Sequence, residues 1–437
     1  MRNSPWSWIP TLYFAEGIPY FIVNNISVVM FTNMGMSKGD MAMYTSLLYL
    51  PWVIKPLWSP FVDIIRTKRW WVMVMQVMMS VAFALTAFTL PHPSAEVIAS
   101  ETAPVSLFVI TLVLFWITAF ASATHDIAAD GFYMLALEPE QQSLFVGIRS
   151  TFYRLSSIFG QGVLVVIAGL LETRLGDIPK AWSITLLVSA IIFACITLWH
   201  TFFMPRPAAD SLRKLDTSGN SAGEIVKEFG RTFVTFFSKK GILVAMLFML
   251  LYRLPEAFLV KMMNPFLLDS LEEGGLGLTT QSVGFIYGTI GVAALTVGGI
   301  LGGVAAAKWG LKKCMWPMAL ALTLPCLSFV FLSAFQPESL WLTGTCVALD
   351  QFGYGFGFTA YMLYLIYFSE GEFKTAHYSL CTAFMALSMM LPGMVAGYIQ
   401  EWVGYTWFFG FVMVCCLVTV AVTFLVKVES QYGRKTR

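Results

Sequence analysis

Charge is scarce in this sequence. Charged side chains make up 12% of the 437 residues, hydrophobic ones 57%, and the mean hydropathy is +0.72. Soluble domains carry about 25% charged residues, so the composition excludes a soluble core and implies an integral membrane protein. The net charge is only +2 and the basic residues are scattered over loops, so charge gives no sign of a nucleic-acid partner. The seven cysteines (Cys195, Cys314, Cys326, Cys346, Cys381, Cys415, Cys416) form no CxxC pair and show no metal-ligand spacing. They read as small packing residues, and no metal site is expected. No hydrolytic triad, zinc site or phosphate loop can be placed, so neither an enzyme nor a bound cofactor is expected. The glycine-rich run at 298–303 falls inside an apolar segment and reads as helix packing. A cleavable signal peptide is also missing from the pattern: apolar sequence starts at once and runs long, so the first span is expected to act as the insertion signal.

What remains is apolar length. A helix needs about 20 apolar residues to cross a ~30 Å hydrocarbon layer. Apolar runs between polar breaks give twelve such spans: 8–32, 41–64, 70–90, 105–137, 144–171 and 181–204, then 241–268, 280–307, 314–335, 341–368, 376–400 and 405–428. The one long polar stretch, 205–240, divides them six and six. The expected domains are therefore 1–204, a cytoplasmic linker at 205–240, and 241–437. Within the linker Phe229, Phe233 and Phe237 recur every four residues beside Lys227 and Arg231, the pattern of a basic amphipathic helix on the inner membrane surface.

Loop charge sets orientation. Arg2, Arg66, Lys68, Arg69, the linker, Lys308, Lys312, Lys313, Lys374, Arg434, Lys435 and Arg437 fall on one side, against Lys38, Arg174 and Lys180 on the other. The first side is expected to be cytoplasmic, with both termini inside. The opposite face carries Glu96, Glu101, Asp269, Glu272 and Glu273.

The few charges that lie inside spans are the functional signal. An ionised group at the bilayer centre costs roughly 2.5–3.5 kcal/mol on insertion scales, and such groups are commonly kept for transport or proton relay. Asp126 and Asp130, in HDIAADGF, are four apart on one helix face. Two carboxylates this close repel, which favours proton uptake by one of them. The plainer reading is an ion pair with Arg149 or Arg154 that locks helices together. Arg149, Tyr153 and Arg154 follow in the fifth span, and their surplus positive charge suits an anionic ligand. Glu16 sits in FAEGIPY, where Gly17 and Pro19 can break the helix. In the seventh span Arg253 and Glu256 are spaced to pair internally, with Lys261 and Asn264 further along; Lys261 reads either as a ligand contact or as a side chain snorkelling to the interface. In the tenth, Asp350 and Gln351 precede Gly353, Gly355 and Gly357, a spacing that allows close approach of helices or of a bulky ligand. Aromatic residues, at 15%, include Phe352, Tyr354, Phe356 and Tyr361, which suit either lipid and core packing or stacking on sugar faces. Asp126, Asp130 and Glu16 are the proton-coupling candidates. Arg149, Tyr153, Arg154, Arg253, Glu256, Lys261, Asn264, Asp350 and Gln351 are the substrate-binding candidates. Lys55, Asp63 and Lys308 are assigned gating or structural roles; Lys55, between Pro51 and Pro56, lies two turns before Asp63.

The loop SPFVDIIRTKR (59–69) and the loop GGVAAAKWGLKK (302–313) each place small residues at a helix end and then basic ones. The second resembles the inter-helix loop of the major facilitator superfamily at Gly303, Gly310, Lys312 and Lys313, with Ala307 where an acid is usual; the first keeps the acid as Asp63 without the glycines. Together with FAEGIPY, KPLWSPFVD (55–63), HDIAAD, YRL (153–155), YRLPEAF, the 350–357 run and LPGMVAGYIQEWVGY (391–405), the chain resembles the anhydromuropeptide permease family of that superfamily from first span to last. The resemblance implies an all-α membrane fold of twelve transmembrane helices in two six-helix halves. It also implies proton-driven import of N-acetylglucosamine–anhydro-N-acetylmuramic acid, with or without peptide, across the bacterial inner membrane for cell-wall recycling. The implied partners are a partly anionic sugar or sugar-peptide, protons and lipid, with no nucleic acid. Members of the family carry further charges just after the second Asp, where this chain has Tyr133 and Leu135, and some have two more C-terminal helices. The acetyl-coenzyme A transporter family shares a similar paired-Asp run, so another bulky anionic conjugate stays open. So does a proton-driven exporter of drugs or siderophores on the same scaffold.

Overall fold

The computed structural model describes residues 4–59, 62, 65–90, 107–137, 139–208, 210, 222–371, 373–429 and 432. Asp63, together with Arg2, Glu96, Glu101, Arg213, Lys214, Arg434, Lys435 and Arg437, lies outside the described residues, as does the side chain of Phe229. The regular structure of the described residues is all helix, with no strand among them. The helices are α1 (Pro5–Asn33), α2 (Lys38–Leu47), α3 (Lys68–Thr89), α4 (Leu107–Ala136), α5 (Pro139–Ser157) and α6 (Ile178–Phe203). They continue as α7 (Ala222–Phe237), α8 (Ile242–Leu268), α9 (Thr280–Trp309), α10 (Leu311–Phe335), α11 (Leu340–Ser369) and α12 (Lys374–Leu425). Nine of the described helices are long and apolar enough to cross a membrane. One of these contains most of α12, which at 52 residues is about 78 Å long at 1.5 Å per residue, enough for two crossings; it turns at Gly404, where φ is 76° and ψ 168°. With α11 and the broken run at 38–57, the described helices supply the length for twelve crossings.

Local chemistry sets the helix ends. Side-chain oxygens of Ser37, Thr67, Asp177, Thr279 and Ser339 accept from the backbone N–H three residues on and so cap α2, α3, α6, α9 and α11. The span expected at 41–64 is not one helix. It runs as α2, then Leu50–Ile54, then a 3-10 turn at Lys55–Leu57, because Pro51 and Pro56 each withhold a donor. The first span departs from expectation too. The helix passes through Gly17 and Pro19 unbroken, and the irregularity is a π turn just beyond, at Ile22–Ile26. A second π turn, Ile158–Leu164, carries α5 on into Val165–Leu175, and a third, Gly284–Gly291, lies in α9. Such turns occur often at functional sites.

Packing divides the chain into two units. The first comprises Met1–Met36 and Leu57–Leu215; the second comprises Ser37–Pro56 and Asp216–Arg437. In the first, α1 packs on α4 and α5, and α3 on α4 and α6. Its core joins Trp8, Leu12, Tyr13, Val72, Ala129 and Phe132. A Cβ at Gly17 would collide with Ser156, so glycine there brings α1 hard against α5. In the second unit α11 lies between α9 and α10. A Cβ at Gly355 would strike the Leu295 carbonyl oxygen, and one at Gly353 the Ala321 carbonyl oxygen. The spaced glycines of α11 therefore serve helix approach on both sides.

The linker helix α7 is docked on protein as well as being amphipathic. Phe236, outside the expected every-fourth-residue series, is the buried anchor, against Phe368, His377 and Phe384, whereas Phe237 is exposed. Just past α7, Lys239 donates to the carbonyls of Phe368 (2.6 Å) and Glu370 (2.8 Å) and so ties the linker to the end of α11.

Candidate functional site

In the first unit α1, α4 and α5 bring six expected or newly visible groups together. Arg149 Nη2 lies 2.7 Å from Asp130 Oδ1. The Tyr13 hydroxyl donates to the same oxygen at 3.1 Å. The guanidinium of Arg149 rests over the rings of Tyr13 (4.4 Å) and Tyr133 (5.3 Å). One turn back on α4, Asp126 and Glu16 of α1 act on each other electrostatically. Two carboxyls that interact this way in a low-dielectric setting favour proton uptake by one of them. The second oxygen of Glu16, Oε2, is buried with no partner. The Asp130 side chain is 43% exposed, so this acid is reachable while Glu16, at 9%, is not.

The expected tally of two acids against two arginines changes here. Glu16 makes three carboxyls on the α1–α4 face, and Arg149 is committed to Asp130. Arg154 is half-buried, and Tyr153 lies against Phe21 at 5.7 Å.

A second polar feature of this unit was not foreseen. His125 Nε2 meets Gln76 Nε2 at 3.0 Å, Gln76 Oε1 meets His200 Nδ1 at 3.0 Å, and His200 Nε2 meets Thr11 Oγ1 at 2.8 Å. Both histidines and Gln76 are fully buried, so the chain links α4, α3, α6 and α1 through the core. Its position beside Asp126 is visible in the sequence only through His125.

In the second unit α8 is interrupted in mid-course. Arg253 leaves helical geometry (φ −100°, ψ 13°), and Pro255 cannot donate to the Leu251 carbonyl. The broken turn is held by its neighbours: Tyr252 hydroxyl to Gly357 carbonyl at 3.1 Å, Tyr361 hydroxyl to Met249 carbonyl at 2.7 Å, and Thr419 hydroxyl to Tyr252 carbonyl at 3.0 Å. The break turns Arg253 toward α11. Its Nη2 donates to the Tyr354 hydroxyl at 2.5 Å, and its guanidinium lies 4.7 Å from the Phe358 ring centre, 5.3 Å from Tyr354 and 5.8 Å from Tyr361. The internal Arg253–Glu256 pair expected from spacing is an electrostatic attraction without a hydrogen bond. Neither oxygen of Glu256 accepts a hydrogen bond, because the aromatic faces of α11 take the guanidinium instead.

Glu256 and Asp350 are both 1% exposed and act on each other electrostatically; Gln351 Nε2 donates to Asp350 Oδ2 at 3.0 Å. Lys261, further along α8, does not snorkel. It is 5% exposed, donates to the Thr45 hydroxyl at 3.0 Å, and lies over the Tyr49 ring at 5.7 Å. Beside it the Ser46 hydroxyl and Asn264 Oδ1 are buried without hydrogen-bond partners. Thr45, Ser46 and Tyr49 gave no sequence signal. Of the remaining expected residues, Lys55 sits half-buried at the 3-10 turn, and Lys308 is exposed, over the Trp309 ring at 5.2 Å.

A model of the Major Facilitator Superfamily matches residues 11–369. An anhydromuropeptide permease of Escherichia coli (strain K12) is 24% identical over 405 residues, spanning 92% of this chain and 75% of that relative. An uncharacterized protein of Haemophilus influenzae is 22% identical over 437 residues, spanning 97% and 94%. Among solved structures, a D-xylose–proton symporter superposes with a TM-score of 0.71 at 12% identity, over 98% of each chain. That likeness concerns the fold alone.

Proposed function

The chain belongs to the Major Facilitator Superfamily, and on that premise we propose that this membrane transporter imports a bulky, partly anionic sugar conjugate of the anhydromuropeptide class, driven by protons. It acts in the bacterial inner membrane with both termini in the cytoplasm, and the linker at 205–240 joins its six-span halves. The reading rests on the first unit's acid cluster. Asp130, accessible and held by Arg149 and Tyr13, is the group that exchanges protons with water. The Glu16–Asp126 pair holds one proton in the core beside it. A proton arriving at Asp130 releases Arg149, which changes how α4 and α5 are tied. A membrane potential supplies about 2.3 kcal/mol per charge per 100 mV to such a cycle.

The substrate contacts in this reading include Lys261 and Asn264, both in the second unit. Lys261 is a buried amine that donates to the neutral hydroxyl of Thr45. A substrate carboxylate would complete it. The relatedness to anhydromuropeptide permeases and the arginine and lysine positions favour an acidic sugar over a cationic drug.

The test is uptake of radiolabelled N-acetylglucosamine–anhydro-N-acetylmuramic acid by right-side-out vesicles, with and without a protonophore. Accumulation that the protonophore collapses is the expected result, and Asp130→Asn should lose accumulation while keeping exchange. No accumulation by folded protein would reject the substrate, and full proton-driven uptake by Asp130→Asn would reject the proton assignment.

A further inference from the structure

We propose that Glu256 is a second proton-binding site, lodged in the second unit and separate from the Glu16–Asp126–Asp130 cluster. Sequence spacing groups Glu256 and Asp350 with substrate contacts; the geometry points to a proton as the occupant. Glu256 is 1% exposed and both its oxygens are buried with no hydrogen-bond partner. An ionised carboxylate in that position would have neither water nor a donor. Arg253 attracts Glu256 electrostatically but gives it no hydrogen bond, its guanidinium being bonded to the Tyr354 hydroxyl and seated over the rings of α11.

The facing groups sharpen the assignment. Asp350 of α11 presents a like charge to Glu256, and Gln351 donates to Asp350, not to Glu256. Between the two acids, Asp350 has the donor that steadies an anion, so the proton belongs on Glu256. The Tyr287 hydroxyl of α9 and the Cys326 thiol of α10 lie in the field of both acids. Neither brings positive charge. Position adds a means of coupling: Glu256 begins the helical segment just after the break in α8, three residues past Arg253. Loss of its proton would leave two negative charges facing across α8 and α11, and the nearest relief is recapture of the Arg253 guanidinium from its aromatic seat. The site thus couples proton binding to which partner Arg253 takes.

The transport arm of the test rests on the proton-driven reading above; the spectroscopic arm does not. Infrared difference spectra of the purified full-length protein across neutral pH should contain the carbonyl stretch of a protonated carboxyl that shifts on deuteration. Glu256→Gln should lose one component of that signal, the component of the Glu16–Asp126 pair remaining, and Glu338→Gln, at an exposed acid, should keep both. Glu256→Asp, the milder change, should retain a band at a shifted position, which covers the case in which the Gln variant does not fold. An unaltered spectrum in Glu256→Gln, or no shift in Glu256→Asp, overturns the proposal. A band that vanishes on adding sodium also overturns it, since the occupant would then be a metal cation. In vesicles Glu256→Gln should move one proton fewer per substrate while still transporting. Protonophore-insensitive uptake with the Glu256 band intact would reject the proton-driven reading alone; protonophore-sensitive uptake without the band would reject this site alone.

Discussion

Lys261 shows how a single residue changes meaning once its surroundings are known. A lysine near the end of a span can send its ammonium to the interface at little cost. Here the stem is packed against Gly393, whose added Cβ would lie 3.2 Å from Lys261 Cε, and the ammonium ends on Thr45. Charging the amine in such surroundings costs stability in the empty protein, a cost that an arriving anion offsets. Two measurable consequences follow from that balance. Lys261→Met should raise the melting temperature of the ligand-free protein. It should also raise KM for an acidic substrate about 10-fold or more, since a hydrogen bond to a charged group contributes roughly 1.5–3 kcal/mol, while kcat changes little. Wild-type protein should prefer the free acid to its methyl ester, and the variant should lose the preference. Equal discrimination by both proteins would rule out a substrate carboxylate at Lys261.

At the scale of helices, glycine pattern is the feature that the sequence displays most openly. The run of α11 with Gly353, Gly355 and Gly357 predicts close approach, and the structure places backbone of α9 and α10 where side chains would otherwise be. Gly355→Val should push α9 from α11 and destabilise the protein by about 1–3 kcal/mol or more. Gly303→Ala on α9 meets open space and should be near neutral or mildly stabilising. Thermal melting in detergent separates the two; similar melting of Gly355→Val and wild type would mean that α9 and α11 do not pack this way. The paired acids of α4 were legible for the same reason, because four-residue spacing fixes a shared face within one helix. Partners across helices were not. Glu16 lies more than a hundred positions from Asp126, and Gln76 lies 49 from His125 and 124 from His200. Nothing in local periodicity says which faces meet. The missing Arg253–Glu256 hydrogen bond reflects the same limit, since spacing permits it but cannot reveal three aromatic rings on α11 competing for the guanidinium.

Over the whole chain, the unit boundary does not follow chain order. Ser37–Pro56 packs with the second unit, although the chain on both sides of it belongs to the first. What holds it there is polar and local. Lys38 pairs with Asp269 at 2.9 Å, and the Tyr405 hydroxyl donates to the same carboxylate at 2.6 Å. The Gly39 N–H donates to Glu401 at 2.9 Å, and the Tyr398 hydroxyl to Asp40 at 3.1 Å. Gly397 adds a backbone approach to Lys38 that admits no side chain. Partly exposed pairs of this kind contribute about 1 kcal/mol or less each, so the seat is specific in geometry yet separable, as a transport cycle requires. Lys38→Ala removes the ion pair and leaves Asp269 with Tyr405 alone. Amide hydrogen exchange across residues 38–47 should then quicken by a factor of about 5, the population change that corresponds to roughly 1 kcal/mol. Exchange in α6, which belongs to the first unit, should not change. If exchange at 38–47 stays at the wild-type rate, the ion pair does not hold α2 in place, and the glycine contacts at Gly39 and Gly397 must hold it instead. In that case Gly397→Ala, and not Lys38→Ala, is the substitution that frees the segment.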